Sequence, residues 1–84
     1  MYEVIFSENA RKQFSKLEKS IQERILATLE RARIRPEAHL ERLVGFPYFK
    51  LKASDYRIII ELDRGNLIIH VIKIGHRKNI YDKL

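Results

Sequence analysis

The stretch FKLKASDYRIII, residues 49–60, decides the fold. In a β-strand, residues i and i+2 point to the same face, so Lys50 and Lys52 should lie side by side. The pair SD at 54–55 predicts a tight turn, after which Arg57 opens the most apolar run of the chain. Neighbouring like charges on a sheet are destabilising unless something compensates. The stretch therefore predicts two adjacent strands whose three cations face an anionic partner.

Two amphipathic helices are predicted before this hairpin. Ser7 can cap the first, which should end near Leu17, and Ser20 with Glu23 fits a capping box for the second. Pro36 bars continuation of the second helix. A link of two or three residues predicts an antiparallel helical hairpin. The apolar stripes are Ala10, Phe14 and Leu17 in the first helix, and Ile21, Ile25, Leu29 and Ala32 in the second.

The remaining chain predicts strands and one loop. The segment MYEVIFS at the start alternates as a strand does, and residues 35–47 indicate a loop with one turn of helix. The run NLIIHVIKI is apolar in both registers, which predicts a strand covered on both sides, ended by Gly75. The fold class is α+β, with order βααβββ, an antiparallel-dominated sheet and an N-terminal helical hairpin on one face. We expect a single domain, 1–84, with later strands at about 48–53, 56–63 and 66–74, the last two joined by a hairpin turn at DRGN.

Composition restricts the function classes. The chain carries a net charge of +6 with a pI near 9.8, and residues 45–84 hold eight Lys/Arg against four acids. Such a balance favours a polyanionic partner, nucleic acid or an acidic protein, although a merely soluble basic domain is the alternative. Without cysteine, disulfides and thiolate metal sites are excluded. No stretch approaches the roughly 18 apolar residues of a membrane span, so we expect a cytoplasmic protein.

The candidate site is cationic. In a meander of neighbouring strands, Lys50, Lys52, Arg57 and Arg77 can gather on one surface, a cluster suited to phosphate. Tyr81 adds a ring on which a base could stack. The non-functional alternatives are that Lys50 and Lys52 form an ordinary solvated strand face and that Arg57 forms an ion pair with Glu61 on the same face of its strand. His76 and Lys78 lie beside Arg77 in the sequence, and His70 is expected in the core. The three histidines of the chain do not have the spacing of metal ligands, so a metal site is not expected.

The motifs YFKLK, DYR and GHRKNIY, in this order and spacing, resemble the RelE branch of the RelE/ParE toxin superfamily, and the likeness extends over nearly the whole chain. The resemblance implies a ribosome-dependent endoribonuclease that cleaves mRNA in the A site, needs no cofactor or metal, and is neutralised by an acidic RelB-like antitoxin, the pair forming a heterotetramer. It assigns catalysis to Lys50, Lys52, Arg57, Arg77 and Tyr81. RNA binding would add His76 and Lys78.

RNA carries its own nucleophile, the 2′-OH, so cations can suffice for this chemistry. Crowded cations disfavour one another's charged form, which makes a lysine a better base. Lys50 is then the candidate base, Lys52 and Arg57 stabilise the transition state, Arg77 binds phosphate and supplies the acid, and Tyr81 orients the nucleotide. The alternatives are a ParE-type inhibitor of DNA gyrase and a non-catalytic nucleic-acid-binding module of the same fold.

Overall fold

A computed structural model describes residues 1–82, so the last two positions of the expected domain lie outside the described residues. It has two helices and a five-stranded sheet, and the α+β class is confirmed. In chain order the elements are β1 Glu3–Phe6, α1 Glu8–Ser15, α2 Lys19–Ile34, a 3-10 turn Pro36–Ala38, β2 Glu41–Arg42, β3 Phe49–Ala53, β4 Tyr56–Asp63 and β5 Ile68–His76.

The sheet order is β1-β5-β4-β3-β2, in which β1 pairs with β5 in parallel and the other pairs are antiparallel. The strand β2 lies inside the predicted loop and was missed. It is two residues long, too short for an alternating pattern. The loop after it closes through Leu43, whose N–H donates to the Tyr48 carbonyl at 3.0 Å, and Gly45 supplies a left-handed φ of 85°.

Both helices pack on one face of the sheet, α1 against β5 and α2 against β3. The predicted stripes are confirmed, because Ala10, Ile25, Leu29 and Ala32 are buried and their stripe partners pack against them. This helix-side core is completed by buried residues of the strands: Leu51, Ala53, Ile58, Ile60, Ile69, Val71 and Ile74.

The helix termini confirm two predictions and correct one. The Ser7 hydroxyl accepts the Ala10 N–H at 3.0 Å and caps α1, and α2 ends at Ile34, two residues before Pro36. The capping box at Ser20 is wrong, because the N-cap of α2 is Glu18, two residues earlier, and it makes no side-chain cap. The Glu18 carbonyl already accepts the N–H groups of residues 21 and 22 at 3.0 Å, so Ser20 lies inside the first turn.

A β-bulge interrupts β5. Ile59 pairs with Lys73 and Ile60 pairs with Val71, which leaves Ile72 without a partner on β4. One extra residue reverses the alternation of everything after it. Val71 therefore shares the helix-side core with residue 74, while Lys73 lies on the opposite face. The apolar run in both registers reflects this bulge. The helix side of β5 is buried, whereas the opposite side is only half-buried, so the expected cover on both sides is correct only in part.

Side chains of α1 and its cap satisfy backbone groups around the bulge. The Ser7 hydroxyl donates to the Ile72 carbonyl at 3.2 Å, and the Gln13 side-chain carbonyl accepts the Ile74 N–H at 2.7 Å. Paired backbone groups matter here because a buried peptide group without a partner is costly. The ladder continues through Gly75, which pairs with Arg57, so the predicted end of the strand at this glycine is also wrong.

Both hairpin turns of the later strands form where they were predicted. Ser54 adopts a left-handed φ of 57° in the β3–β4 turn. In the β4–β5 turn the Asp63 carboxylate accepts the backbone N–H of Asn66 at 3.0 Å and its side-chain N–H at 2.9 Å. Leu67, rather than Gly65, takes the left-handed conformation, with a φ of 56°. Neither helix within residues 1–82 is long and apolar enough to span a membrane.

The Asp63 turn generates a pH prediction. The side-chain hydrogen bond from Asn66 holds the pKa of Asp63 below its usual value. A carboxyl with a depressed folded-state pKa stabilises the fold above its unfolded-state pKa, near 3.9, and this contribution is lost as pH falls through the folded-state pKa. Asp63→Ala should therefore lower the urea midpoint at pH 7, and the difference should shrink below about pH 4. Adding Asn66→Ala to Asp63→Ala should change little further; a constant difference at every pH would contradict this explanation.

Candidate functional site

The face of the sheet opposite the helices, called the open face below, collects the predicted cations. Two rows of cross-strand partners cover it from β3 through β4 to β5. The first row is Lys52–Arg57–Gly75 and the second is Lys50–Ile59–Lys73. The strand register thus places Lys50, Lys52 and Arg57 together on the open face, as expected from the sequence. Lys73 was missed, since only the bulge turns it to this face.

A turn of residues 77–82 follows β5 and folds back towards the open face. The N–H groups of Asn79 and Ile80 both donate to the His76 carbonyl, at 2.9 and 3.0 Å. Ile80 is 1% exposed, and a Cβ added to Gly75 would lie 3.1 Å from its Cδ1 atom. The absence of a side chain at Gly75 therefore allows this close approach. Ile59 is fully buried as well, although it lies outside the helix-side core.

The same turn brings Tyr81 to the lysines. The Lys50 Nζ atom lies 5.9 Å from the centroid of the Tyr81 ring, within the range of a cation–π contact. Tyr81 remains 42% exposed, so its ring is accessible to a ligand. Next to it, the Lys73 ammonium donates to the Asp82 carbonyl at 2.6 Å and ties the turn to β5.

Arg57 and Arg77 converge at the β3–β4 turn, although they are far apart in sequence. The Arg57 guanidinium donates to the carbonyls of Ser54 and Tyr56 at 3.0 and 2.9 Å. The Arg77 N–H donates to the Asp55 carbonyl at 2.8 Å. Arg57 thus engages turn carbonyls, and the alternative in which Arg57 pairs with Glu61 is not found among the ion pairs of residues 1–82.

Two ion pairs border the cations, and both are weak by geometry. Lys52 lies 3.7 Å from the Glu41 carboxylate and Arg77 lies 3.9 Å from that of Asp55, with all four side chains more than half exposed. Exposed pairs of this kind contribute about 0 to 1 kcal/mol. A polyanion can displace such carboxylates at little cost, so these cations stay available to a ligand.

The histidines do not join the cluster. The His76 ring stacks edge-on with Tyr56 at 5.7 Å on the helix side of the sheet, and its Nδ1 accepts the Lys78 N–H at 3.2 Å. Lys78 itself is exposed. His70 was expected in the core, but it is only half-buried and pairs with Glu61 across β4. Its position in an otherwise apolar run led to the wrong prediction, because that run was expected to be covered on both faces.

Comparison with known proteins identifies similar chains. The profile of the ParE toxin of type II toxin–antitoxin system parDE matches residues 4–81. A putative RelE-like toxin protein of Escherichia coli is 32% identical over 80 residues, which cover 92% of this chain and 84% of that protein. The family match therefore extends over both helices and nearly the whole sheet.

Solved structures share the architecture. The toxin–antitoxin complex RelBE of Escherichia coli contains a chain 28% identical to this one, with a TM-score of 0.78 over 90% of this chain and 96% of that one. A chain of the Mycobacterium tuberculosis complex RelBE2 has a TM-score of 0.80 at 20% identity, over 90% of this chain and 98% of that one. The second likeness shows the fold alone.

The contact between Gly75 and Ile80 generates a stability prediction. Gly75→Val should destabilise the protein by about 1–3 kcal/mol, because a branched side chain would overpack against Ile80. Urea unfolding measures this as a lower midpoint at unchanged slope. Gly65→Val is the matched control, since a Cβ added at this surface turn would meet nothing closer than 3.6 Å, and it should destabilise the protein clearly less. Equal effects at the two glycines would show that the 77–82 turn is not packed on β5.

Proposed function

The chain belongs to the RelE/ParE superfamily of type II toxins, and from this premise we propose that it is a ribosome-dependent endoribonuclease that cleaves mRNA in the A site. The observation that supports this proposal is the convergence of Lys50, Lys52 and Arg57 with Tyr81 on the open face. Such a surface offers cations for a phosphate and a ring for a base. Acting at the ribosome, the protein would work in the cytoplasm.

The reaction needs no protein nucleophile. The 2′-oxygen of one nucleotide attacks the adjacent phosphorus, its proton passes to a base, and the bond from phosphorus to the 5′-oxygen breaks. The departing 5′-oxygen takes a proton from an acid, which leaves a 2′,3′-cyclic phosphate and a 5′-hydroxyl. The protein must hold the attacking and leaving oxygens in line and offset the charge that develops on the phosphoryl oxygens.

The proposed roles follow the positions of the side chains. The Lys50 ammonium lies over the Tyr81 ring. A nucleobase that stacks on this ring would displace the ammonium and bring its ribose close to Lys50. Lys50 is therefore the candidate general base that accepts the proton of the 2′-OH. Lys52 and Arg57 are direct cross-strand partners and would grip the phosphate together. Arg77, at the same end of the sheet, would bind the leaving-group side and supply the acid.

The second candidate is a ParE-type inhibitor of DNA gyrase, which the match to the ParE toxin profile favours. A gyrase inhibitor would not require Lys50, Lys52 and Arg57 to converge beside an exposed tyrosine. The shared face of these four residues therefore favours the nuclease over the gyrase inhibitor, whereas a non-catalytic nucleic-acid-binding module would use the same residues and is distinguished by the cleavage assay below.

Expression of the chain should arrest translation and produce new 5′ ends in translated mRNA, mapped by primer extension at codons occupying the A site. The same mRNA kept untranslated should be cut far less, since the ribosome would supply part of the geometry. No new ends together with inhibited supercoiling by DNA gyrase would favour the second candidate instead.

Single substitutions separate catalysis from attraction in the same assay. Lys50→Ala, Arg57→Ala and Arg77→Ala should each lower the cleavage rate by about 10²-fold or more, as the loss of one transition-state donor does. Ribosome binding should weaken far less, because each removes one charge of many. Lys50→Ala should also flatten one limb of the pH–rate profile. Lys16→Ala, at an exposed position just after α1, is the control and should change neither quantity. If the three substitutions lower ribosome binding and cleavage by the same factor, the cluster only attracts RNA and has no catalytic role.

We further propose an acidic RelB-like antitoxin as partner, in a heterotetramer, because the similar chain of Escherichia coli was solved in a toxin–antitoxin complex. Its Asp/Glu-rich segment would fold on binding and mask the open face. The association rate should fall as salt rises, since exposed charges steer the encounter. Stopped-flow mixing with the acidic protein encoded beside this chain tests this, and an association rate independent of salt would refute it.

A further inference from the structure

A second group of cations lies on α2, outside the open face. Between this helix and the β3–β4 turn is a cleft of about 310 Å³, called the α2 cleft below. Three of its lining residues are cationic and none is acidic. The polar lining consists of Arg24, Thr28 and Arg31 from α2, and Lys52 and Ser54 from the strand and its turn.

The cleft exists because the sheet edge is uncovered there. The short β2 pairs only with Phe49 and Lys50, so no strand in residues 1–82 lies along the edge of β3 beside Lys52 and Ser54. The small side chains of Ala27 and Ala53 keep the floor between helix and strand open. An unpaired sheet edge is accessible to ligands, and cations beside it suit an anionic one.

The two arginines are held on one side of α2. They are seven residues apart, which is about two helical turns and about 10.5 Å along the axis, so both face the same way. Thr28 lies between them. Its hydroxyl donates to the Arg24 carbonyl at 2.9 Å and accepts an N–H of the Arg31 guanidinium at 3.4 Å. This hydrogen bond orients Arg31 and occupies one of its five N–H donors.

Neither arginine is neutralised within the part of the chain that the structure describes. No carboxylate in residues 1–82 lies within 4.0 Å of Arg24 or Arg31. By contrast Arg33, two residues on, pairs with Glu30 at 3.0 Å and donates to the Tyr2 carbonyl at 3.0 Å. The helix thus carries one arginine with a structural role and two that are available to an outside anion.

We propose that the α2 cleft binds a backbone phosphate of RNA, as a subsite separate from the reacting phosphate. Lys52 is shared by the cleft and the open face, so a strand that leaves the reacting centre along Lys52 reaches Arg24 and Arg31. Guanidinium forks bind phosphate oxygens bidentately, and the opening suits a solvated phosphodiester. This inference rests on the proposed function, because the RNA that it binds is the RNA presented at the ribosome.

The test compares salt dependence of binding. A short, fluorescent 2′-O-methyl oligoribonucleotide, which lacks the nucleophile, is titrated with wild type and with the double variant Arg24→Gln/Arg31→Gln by anisotropy at several KCl concentrations. The slope of log K against log salt should fall in magnitude by about 0.7 for each phosphate that the variant no longer neutralises. The double variant Arg11→Gln/Lys16→Gln removes the same charge from exposed positions at α1 and should leave the slope near that of wild type. Circular dichroism and Tm verify folding, and Arg31→Lys, which keeps charge but loses the fork, should weaken binding partway.

A parallel arm uses purified small ribosomal subunits. A reduced slope with the oligonucleotide assigns the phosphate to a single strand such as mRNA, and a reduction with subunits alone assigns it to ribosomal RNA; either supports the proposal. Unchanged slopes in both arms overturn it. If the double variant Arg24→Gln/Arg31→Gln binds RNA normally but no longer binds the acidic partner protein, the cleft binds carboxylates and the proposal is also overturned. Because the probe cannot be cleaved, failure of the nuclease proposal is scored separately, by primer extension.

Discussion

The unpaired residue Ile72 determines what the two faces of this sheet carry. If Ile72 occupied a regular, paired position, the strand would alternate without interruption and Lys73 would lie among the apolar side chains that pack against the helices. Because Ile72 is bulged out of the ladder, Val71 faces the helices while Lys73 and Gly75 face away, opposite Ile59 and Arg57. The helix α1 and its cap support this irregularity through side-chain hydrogen bonds to the backbone of β5. Thus α1 does more than pack against the sheet: its hydrogen bonds stabilise the bulged register of β5, which places Lys73 on the open face.

The open face also shows how adjacent like charges are tolerated. Lys52 and Arg57 are direct cross-strand partners, an arrangement that is destabilising by itself. Each cation instead has its own local compensation: a carboxylate near Lys52, two turn carbonyls for Arg57, and an aromatic ring beside Lys50. These interactions lie at the surface and are weak enough to exchange for those of a ligand. The protein keeps the cations together without neutralising them.

The sequence predicted the elements whose period is regular and missed those that depend on a single residue. The two helical stripes and the strand 56–63 follow from local pattern, and the lysine pair follows from the two-residue period of a strand. The two-residue β2, the N-terminus of α2 at Lys19 and the bulge carry no periodic signal, so each was missed or misplaced. Because the bulge was missed, the position of Lys73 on the open face was not predicted either. The arginines of the α2 cleft lie on the exposed side of a correctly predicted helix, where pattern does not distinguish a solvated charge from a ligand site.

The parallel pairing of β1 with β5 joins two strands that are far apart in sequence, which has a consequence for synthesis. During translation β1 is made long before its partner and before the residues that cover Gly75. Pairings between such distant segments form late, after the local hairpins. The helices and the β3–β4 hairpin can therefore assemble on the growing chain, whereas the surface that holds Tyr81 against Lys50 cannot. The contact between the Lys50 ammonium and the Tyr81 ring is therefore absent from any nascent chain that stops before residue 81.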